Sequence, residues 1–177
     1  MGELPQQLIV QAALILLNAF FAATEIAVIS LNTAKLRRLQ ETGDKTAGRL
    51  LRMAEEPAGF LSTIQIGITL AGFLGSAFAA ENFSDSLTNW IYNGLGFQYL
   101  PVSVLDTVSV IVITIILSYF TLIFGELVPK RIAMQKPYEV AKIASGPVSA
   151  IAFGMKPVIG FLAFSTNTML KLLHMKV

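Results

Sequence analysis

The sequence predicts an all-α integral membrane protein: three transmembrane helices with a belt of juxtamembrane, interfacial helices. Three observations carry this. Apolar residues make up 54% of the 177 residues and charged ones only 14%, too few for a soluble domain to cover itself. Three runs reach the roughly 20 apolar residues that a bilayer crossing needs: about 8–31, 60–80 and 107–128. The basic residues fall only in alternate connections between those runs.

The first run follows Gly2-Glu3-Leu4, which lacks a basic leader, and it is too long for a signal-peptide core. It therefore reads as a span. Segment 33–53 reads as a basic amphipathic helix on the inner leaflet, with Leu36, Leu39, Leu50, Leu51 and Met53 turned to lipid and an interruption at Thr42-Gly43-Asp44. After the second run, the linker 81–106 carries Trp90, Tyr92, Phe97 and Tyr99 with Gly94 and Gly96 as breakers, which predicts a short interfacial helix. The third run ends in Gly125-Glu126-Leu127-Val128-Pro129-Lys130-Arg131. In 132–173, Gly146-Pro147, Gly154, Lys156-Pro157 and Gly160 divide an apolar stretch into pieces of about a dozen residues, short for a crossing. Two kinked interfacial helices are expected there.

Lys35, Arg37, Arg38, Lys45, Arg49 and Arg52 lie between the first two runs, and every other basic residue follows Val128. Residues 1–7 and 81–106 have none. A multi-pass protein of the plasma membrane is expected, and the positive-inside rule places its N-terminus outside and its C-terminus in the cytoplasm. The chain has no cysteine and one histidine, His174, which excludes thiolate and histidine-rich metal sites. It shows no Ser–His pairing and no glycine-rich phosphate loop, so no enzyme is expected, and no nucleic-acid partner.

Each span carries polar residues at helical spacing. Asn18 and Glu25 share a face of the first; Ser62, Gln65, Thr69, Gly72 and Ser76 stripe the second; Thr114, Ser118, Thr121 and Gly125 stripe the third. Such stripes commonly serve helix packing. Glu25 and Glu126 are harder to place, because no Lys or Arg lies within the spans to neutralise them. Glu25 either snorkels to the interface or takes a partner, and a cation would supply the charge. Two carboxylates with hydroxyl, amide and freed carbonyl oxygens form a hard ligand set suited to Mg2+, Mn2+, Ca2+ or Na+. Helix breaks that free such carbonyls are expected at Gly67, Gly72, Gly125 and Pro129.

The strings Asn18-Ala19-Phe20-Phe21-Ala22-Ala23-Thr24-Glu25, Leu61-Ser62-Thr63-Ile64-Gln65-Ile66-Gly67-Ile68-Thr69 and Phe124-Gly125-Glu126-Leu127-Val128-Pro129-Lys130 together resemble the transmembrane domain of the CorC/cyclin M family of magnesium transporters. The resemblance covers essentially the whole chain, and Gly-Glu-x-x-Pro-Lys is its most specific part. It implies a homodimer in the lipid bilayer with an inward-facing acidic cavity that binds Mg2+, whose export by alternating access is coupled to Na+. Full-length members continue into cytoplasmic CBS-pair domains that bind ATP. This chain ends at Val177, so ATP is expected to act only through those missing domains. By position, Glu126 matches the family's ion-binding glutamate, Thr24 a hydroxyl and Glu25 an acid of the first motif. Gly67 matches a glycine at a break in the second helix, with Thr63 and Thr69 as hydroxyl ligands on either side. Asn18, Ser62, Gln65, Gly125 and Pro129 are expected to support the cavity. Ala22 stands where many members have serine, and Ile68-Thr69 where several have asparagines, which leaves fewer side-chain oxygens for the ion. Other relatives handle cobalt, manganese or polyamines, so export of another divalent metal or a polyamine is the alternative. A non-transporting cation sensor or scaffold is the alternative from another class.

Overall fold

A computed structural model describes residues 4–176. The described residues form eight α-helices and two single π-helical turns, without a strand: α1 (Leu4–Ile29), α2 (Thr33–Glu41), α3 (Lys45–Glu55), α4 (Ala58–Asn89), α5 (Val102–Leu122), α6 (Val128–Gln135), α7 (Pro137–Gly154) and α8 (Lys156–Leu172). The π-helical turns are Trp90–Gly94, which prolongs α4, and Ile123–Leu127, which joins α5 to α6. Three continuous helical stretches are long and apolar enough to cross a membrane: Leu4–Ile29, Ala58–Gly94 and Val102–Gln135. The chain sorts into two compact units, one of 4–23 with 67–132 and one of 24–66 with 133–176.

The first unit is a bundle of α1, α4 and α5. Its α1 and α4 run antiparallel, and three contacts set the register. Gln7 Nε2 donates to Asn82 Oδ1 at 3.1 Å, Gln11 Nε2 donates to the Gly75 carbonyl at 3.2 Å, and the Phe21 ring lies on Gly67. A Cβ at Gly67 would stand 2.5 Å from the Phe21 ring, so glycine is what admits the aromatic there. Thr88 joins α4 to α5, bonding to Ser109 Oγ at 2.8 Å and to Asp106 Oδ1 at 3.2 Å. Buried polar contacts of this kind hold helices together where no water competes.

Two expectations change here. The second helix is unbroken at Gly67 and Gly72 and runs on to Asn89. Backbone bonding in a helix satisfies every interior carbonyl, so glycine alone does not interrupt it; Gly67 is used for close packing instead. The linker after residue 80 likewise forms no separate interfacial helix. The α4 helix absorbs it, with Asn82 Nδ2 bonding back to the Phe78 carbonyl and Ser84 Oγ to the Ala80 carbonyl.

In the second unit, α2 and α3 form a helical hairpin. Asn32 caps α2 by accepting from Lys35 N, and Asp44 caps α3 by accepting from Thr46 and Ala47 N. Gly43, at φ +96°, makes the turn between them, a conformation that only glycine adopts freely. An Arg37–Glu55 ion pair ties the two helices together. Leu36, Leu50, Leu51 and Met53, expected to face lipid, are buried in this unit, and only Leu39 among the five retains partial exposure. The reason is that α3 packs on α7, whose Ala141, Ala144, Ser145 and Val148 are buried. The apolar stripe is therefore covered by protein.

The last segment has fewer breaks than its glycines and prolines suggested. Gly146-Pro147 lies inside α7 and Gly160 inside α8, and the chain turns at Met155, where α7 and α8 meet at 71°. Both helices begin with a proline in the first turn, where its missing N–H costs nothing.

Candidate cation site

Pro129 determines the geometry of the site. Proline has no N–H, so the carbonyl of Gly125, four residues earlier, loses the donor that an α-helix would supply. The helix widens into the π-helical turn Ile123–Leu127, in which Val128 N bonds to the Ile123 carbonyl. Asn18 on α1 supplies a donor to the freed group: its Nδ2 lies 3.0 Å from Gly125 O. Asn18 is 2% exposed, so this bond is made out of water. A Cβ on residue 125 would stand 3.1 Å from Asn18 Nδ2 and 3.5 Å from the Ile15 carbonyl, so glycine allows α1 this close. Glu126 lies within the widened turn, directly after Gly125, and is half-buried.

Beside the turn, within the first unit, lies a cleft of about 450 Å3. Its polar wall comprises Gln11 and Asn18 from α1, Thr69 and Ser76 from α4, and Ser118 and Thr121 from α5. Glu126 is the one ionisable residue on its lining. Ser118 Oγ donates to the Thr114 carbonyl at 2.7 Å, which uses its hydrogen and leaves its oxygen able to accept or ligate. Among the described residues the one ion pair is Arg37–Glu55, so no basic side chain neutralises Glu126. No three His, Cys, Asp or Glu residues come together among the described residues. The cleft thus offers one carboxylate amid neutral oxygens, a donor set matched to a hard cation.

Of the residues the sequence singled out, the cleft gathers Glu126, Asn18 and Thr69, while Gly125 and Pro129 build the turn. Gly67 lies in a continuous helix against Phe21. Thr24, Glu25, Ser62, Thr63 and Gln65 belong to the second unit. There Thr24 is fully buried, Glu25 half-buried, and Thr63 Oγ1 donates to the Gly59 carbonyl at 3.0 Å. Sequence reasoning missed Gln11. The signal was available, because Gln11, Asn18 and Glu25 recur every seven residues along one helix face.

Residues 9–177 match the family model of the cyclin M transmembrane N-terminal domain. The chain belongs to the cyclin M family. A UPF0053 protein of Synechocystis is 31% identical over 159 residues, covering 90% of this chain and 35% of its own length. The UPF0053 protein YhdT of Bacillus subtilis is 30% identical, covering 96% of this chain and 36% of its own length. The polyamine export protein of Haemophilus influenzae is 28% identical, covering 96% and 38%. The chain spans about a third of the length of these curated relatives. The cyclin M family is one of membrane transporters and not of enzymes.

Proposed function

We propose that this domain carries a divalent cation, Mg2+, across the plasma membrane, with Glu126 as the charged ligand. The observation that carries the proposal is the lone carboxylate on a π-helical turn facing a cleft of neutral oxygens, without a basic partner among the described residues. A half-buried carboxylate without a counter-charge carries a desolvation cost, and a cation removes it. Thr69 and Thr121 contribute hydroxyl oxygens around it. Mg2+ releases its waters reluctantly, and a single carboxylate amid neutral donors leaves part of the hydration shell in place. One charged ligand also holds the ion weakly enough for release. Alternating exposure of the cleft to the two sides moves the ion outward, with Na+ entering on the same acid in exchange. The working unit is a homodimer, oriented with its N-terminus outside and its C-terminus in the cytoplasm, as the distribution of Lys and Arg supports.

A second reading is polyamine export, favoured by the name of the Haemophilus influenzae relative. A polyamine would pair its ammonium groups with acids and stack on aromatic walls. The cleft has a single acid, and Phe73 is the one aromatic residue on its lining, which favours the metal.

Calorimetry tests both readings on the purified wild type and Glu126→Ala, with Na+, Mn2+ and putrescine as competitors. Saturable Mg2+ binding that the variant loses and Na+ displaces is the expected result. Putrescine binding through Glu126 without Mg2+ binding would overturn the ion assignment. Mg2+ binding without flux in proteoliposomes would make the domain a cation sensor.

A further inference from the structure

Gln11 lies on the same face of α1 as Asn18, two turns earlier, and is 7% exposed. Its amide nitrogen donates to the Gly75 carbonyl at 3.2 Å. A carbonyl can only accept, so this bond fixes which way the amide points and leaves Oε1 directed elsewhere. That oxygen is buried and has no hydrogen-bond partner among the described residues. A buried acceptor left unpaired is destabilising, so a purely packing role is a poor use of a glutamine here. A leucine would fill the space without stranding an oxygen.

Two cavities border Gln11. One is apolar, walled by residues such as Leu8, Ile116 and Phe120, and offers the oxygen nothing. The other is the polar cleft of Glu126, where Ser76 follows Gly75 directly. Of the two cavities, the polar one is the one whose lining can supply that oxygen with a partner. Seven residues of helix put Gln11 about 10 Å along α1 from Asn18, whose amide marks the Glu126 turn.

We propose that Gln11 Oε1 and the Ser76 hydroxyl form a second, uncharged station for a hydrated divalent cation in the same cleft, two turns of α1 from the Asn18 that marks the Glu126 turn. The proposal rests on the reading of that cleft as a cation path. A neutral station attracts the ion less than a carboxylate does, so an ion displaced from Glu126 pauses there without being trapped. The amide oxygen accepts from the ion's water shell or replaces one of its waters.

The test compares wild type with Gln11→Met, which keeps the length and removes the oxygen, and Gln11→Glu, which keeps the oxygen and adds charge. Mg2+ flux is read with an indicator trapped in proteoliposomes, and bound Mn2+ per protomer is counted by electron paramagnetic resonance. Gln11→Met is expected to slow flux about tenfold while Mn2+ affinity at Glu126 changes less than twofold. Gln11→Glu is expected to hold one Mn2+ more than Gln11→Met, also in the Glu126→Gln background, and Ser76→Ala weakens that extra site. Flux in Gln11→Met within twofold of wild type, or equal Mn2+ counts in the two Gln11 variants, overturns the second station. If the wild type moves no Mg2+, the transport reading falls, and the Mn2+ count alone decides the station. A role limited to pinning α1 on α4 would lower the melting temperature of both variants alike and leave the counts equal.

Discussion

Asn18 on the first helix donates to the carbonyl of Gly125, 107 residues away, at 3.0 Å. That carbonyl is the one from which Pro129 withholds the usual helical donor. The bond thus links a backbone consequence of one proline to the position of the neighbouring Glu126. Removing it should loosen the turn without touching the acid. Asn18→Leu is expected to lower stability by about 1–2 kcal/mol, the cost of an unmet buried acceptor. It should also weaken Mg2+ binding about tenfold, measured by calorimetry on protein shown by circular dichroism to keep its helix content. Unchanged affinity would separate the Asn18 bond from the site.

Pro129→Ala makes the opposite experiment. It returns an N–H to the helix and removes the ring that crowds the Gly125 carbonyl, so the π-helical turn can relax to α-helix. Proline costs about 3 kcal/mol in a helix interior, and part of that should be recovered as a higher melting temperature. Cation binding should weaken at the same time, because one residue of winding swings Glu126 away from the cleft. A variant that is both more stable and equally tight would show that the widened turn has no part in binding.

Glu126 and Glu25 stand in different surroundings, and their substitutions should differ accordingly. Glu126→Gln removes the one ionisable residue of the cleft and should abolish Mg2+-dependent thermal stabilisation. Glu25→Gln leaves the lining of the cleft unchanged and should shift Mg2+ affinity about threefold or less. A drastic loss in Glu25→Gln would make that carboxylate a direct ligand.

The sequence shows the three spanning helices and the acid at the end of the third because both rest on local chemistry. An uncharged apolar run and a proline four residues after a glycine need no tertiary context to read. The Gly67 expectation failed for the reason that made Gly125 succeed. Glycine permits a break but does not force one, whereas Pro129 removes a hydrogen bond outright. The lipid-facing reading of Leu36, Leu50 and Met53 failed differently. An amphipathic pattern says that a face is covered, and only the structure says that α7 contributes to covering it. Gln11 was legible as the first of a seven-residue series with Asn18 and Glu25. Its stranded oxygen was not, since that depends on the Gly75 carbonyl of another helix.

Gly67 should behave as a packing glycine. A methyl added there meets Phe21 Cε2 at 2.5 Å, closer than any real contact, so Gly67→Ala should destabilise the bundle by about 1–3 kcal/mol. Phe21→Leu in the same molecule should restore most of the loss, because it removes the ring that the methyl strikes. A double-mutant cycle on unfolding in mixed micelles reads this as a coupling of about 1 kcal/mol or more. If the two changes simply add, the glycine is kept for another reason, such as the backbone opening first expected at this position.

The hairpin of α2 and α3 offers the sharpest contrast between a lipid-facing and a protein-facing surface. Leu50 and Met53 are fully buried within the second unit. Were they immersed in acyl chains, truncation would swap one apolar contact for another, since lipid fills the space left behind. Buried against protein, Leu50→Ala leaves a cavity and should cost about 2–5 kcal/mol. An exposed leucine of the same chain, Leu172 on α8, provides the control: Leu172→Ala should stay within about 0.5 kcal/mol. The two variants compared by thermal unfolding, with and without added lipid, distinguish the surfaces. Equal, small effects would return the α2–α3 stripe to the membrane.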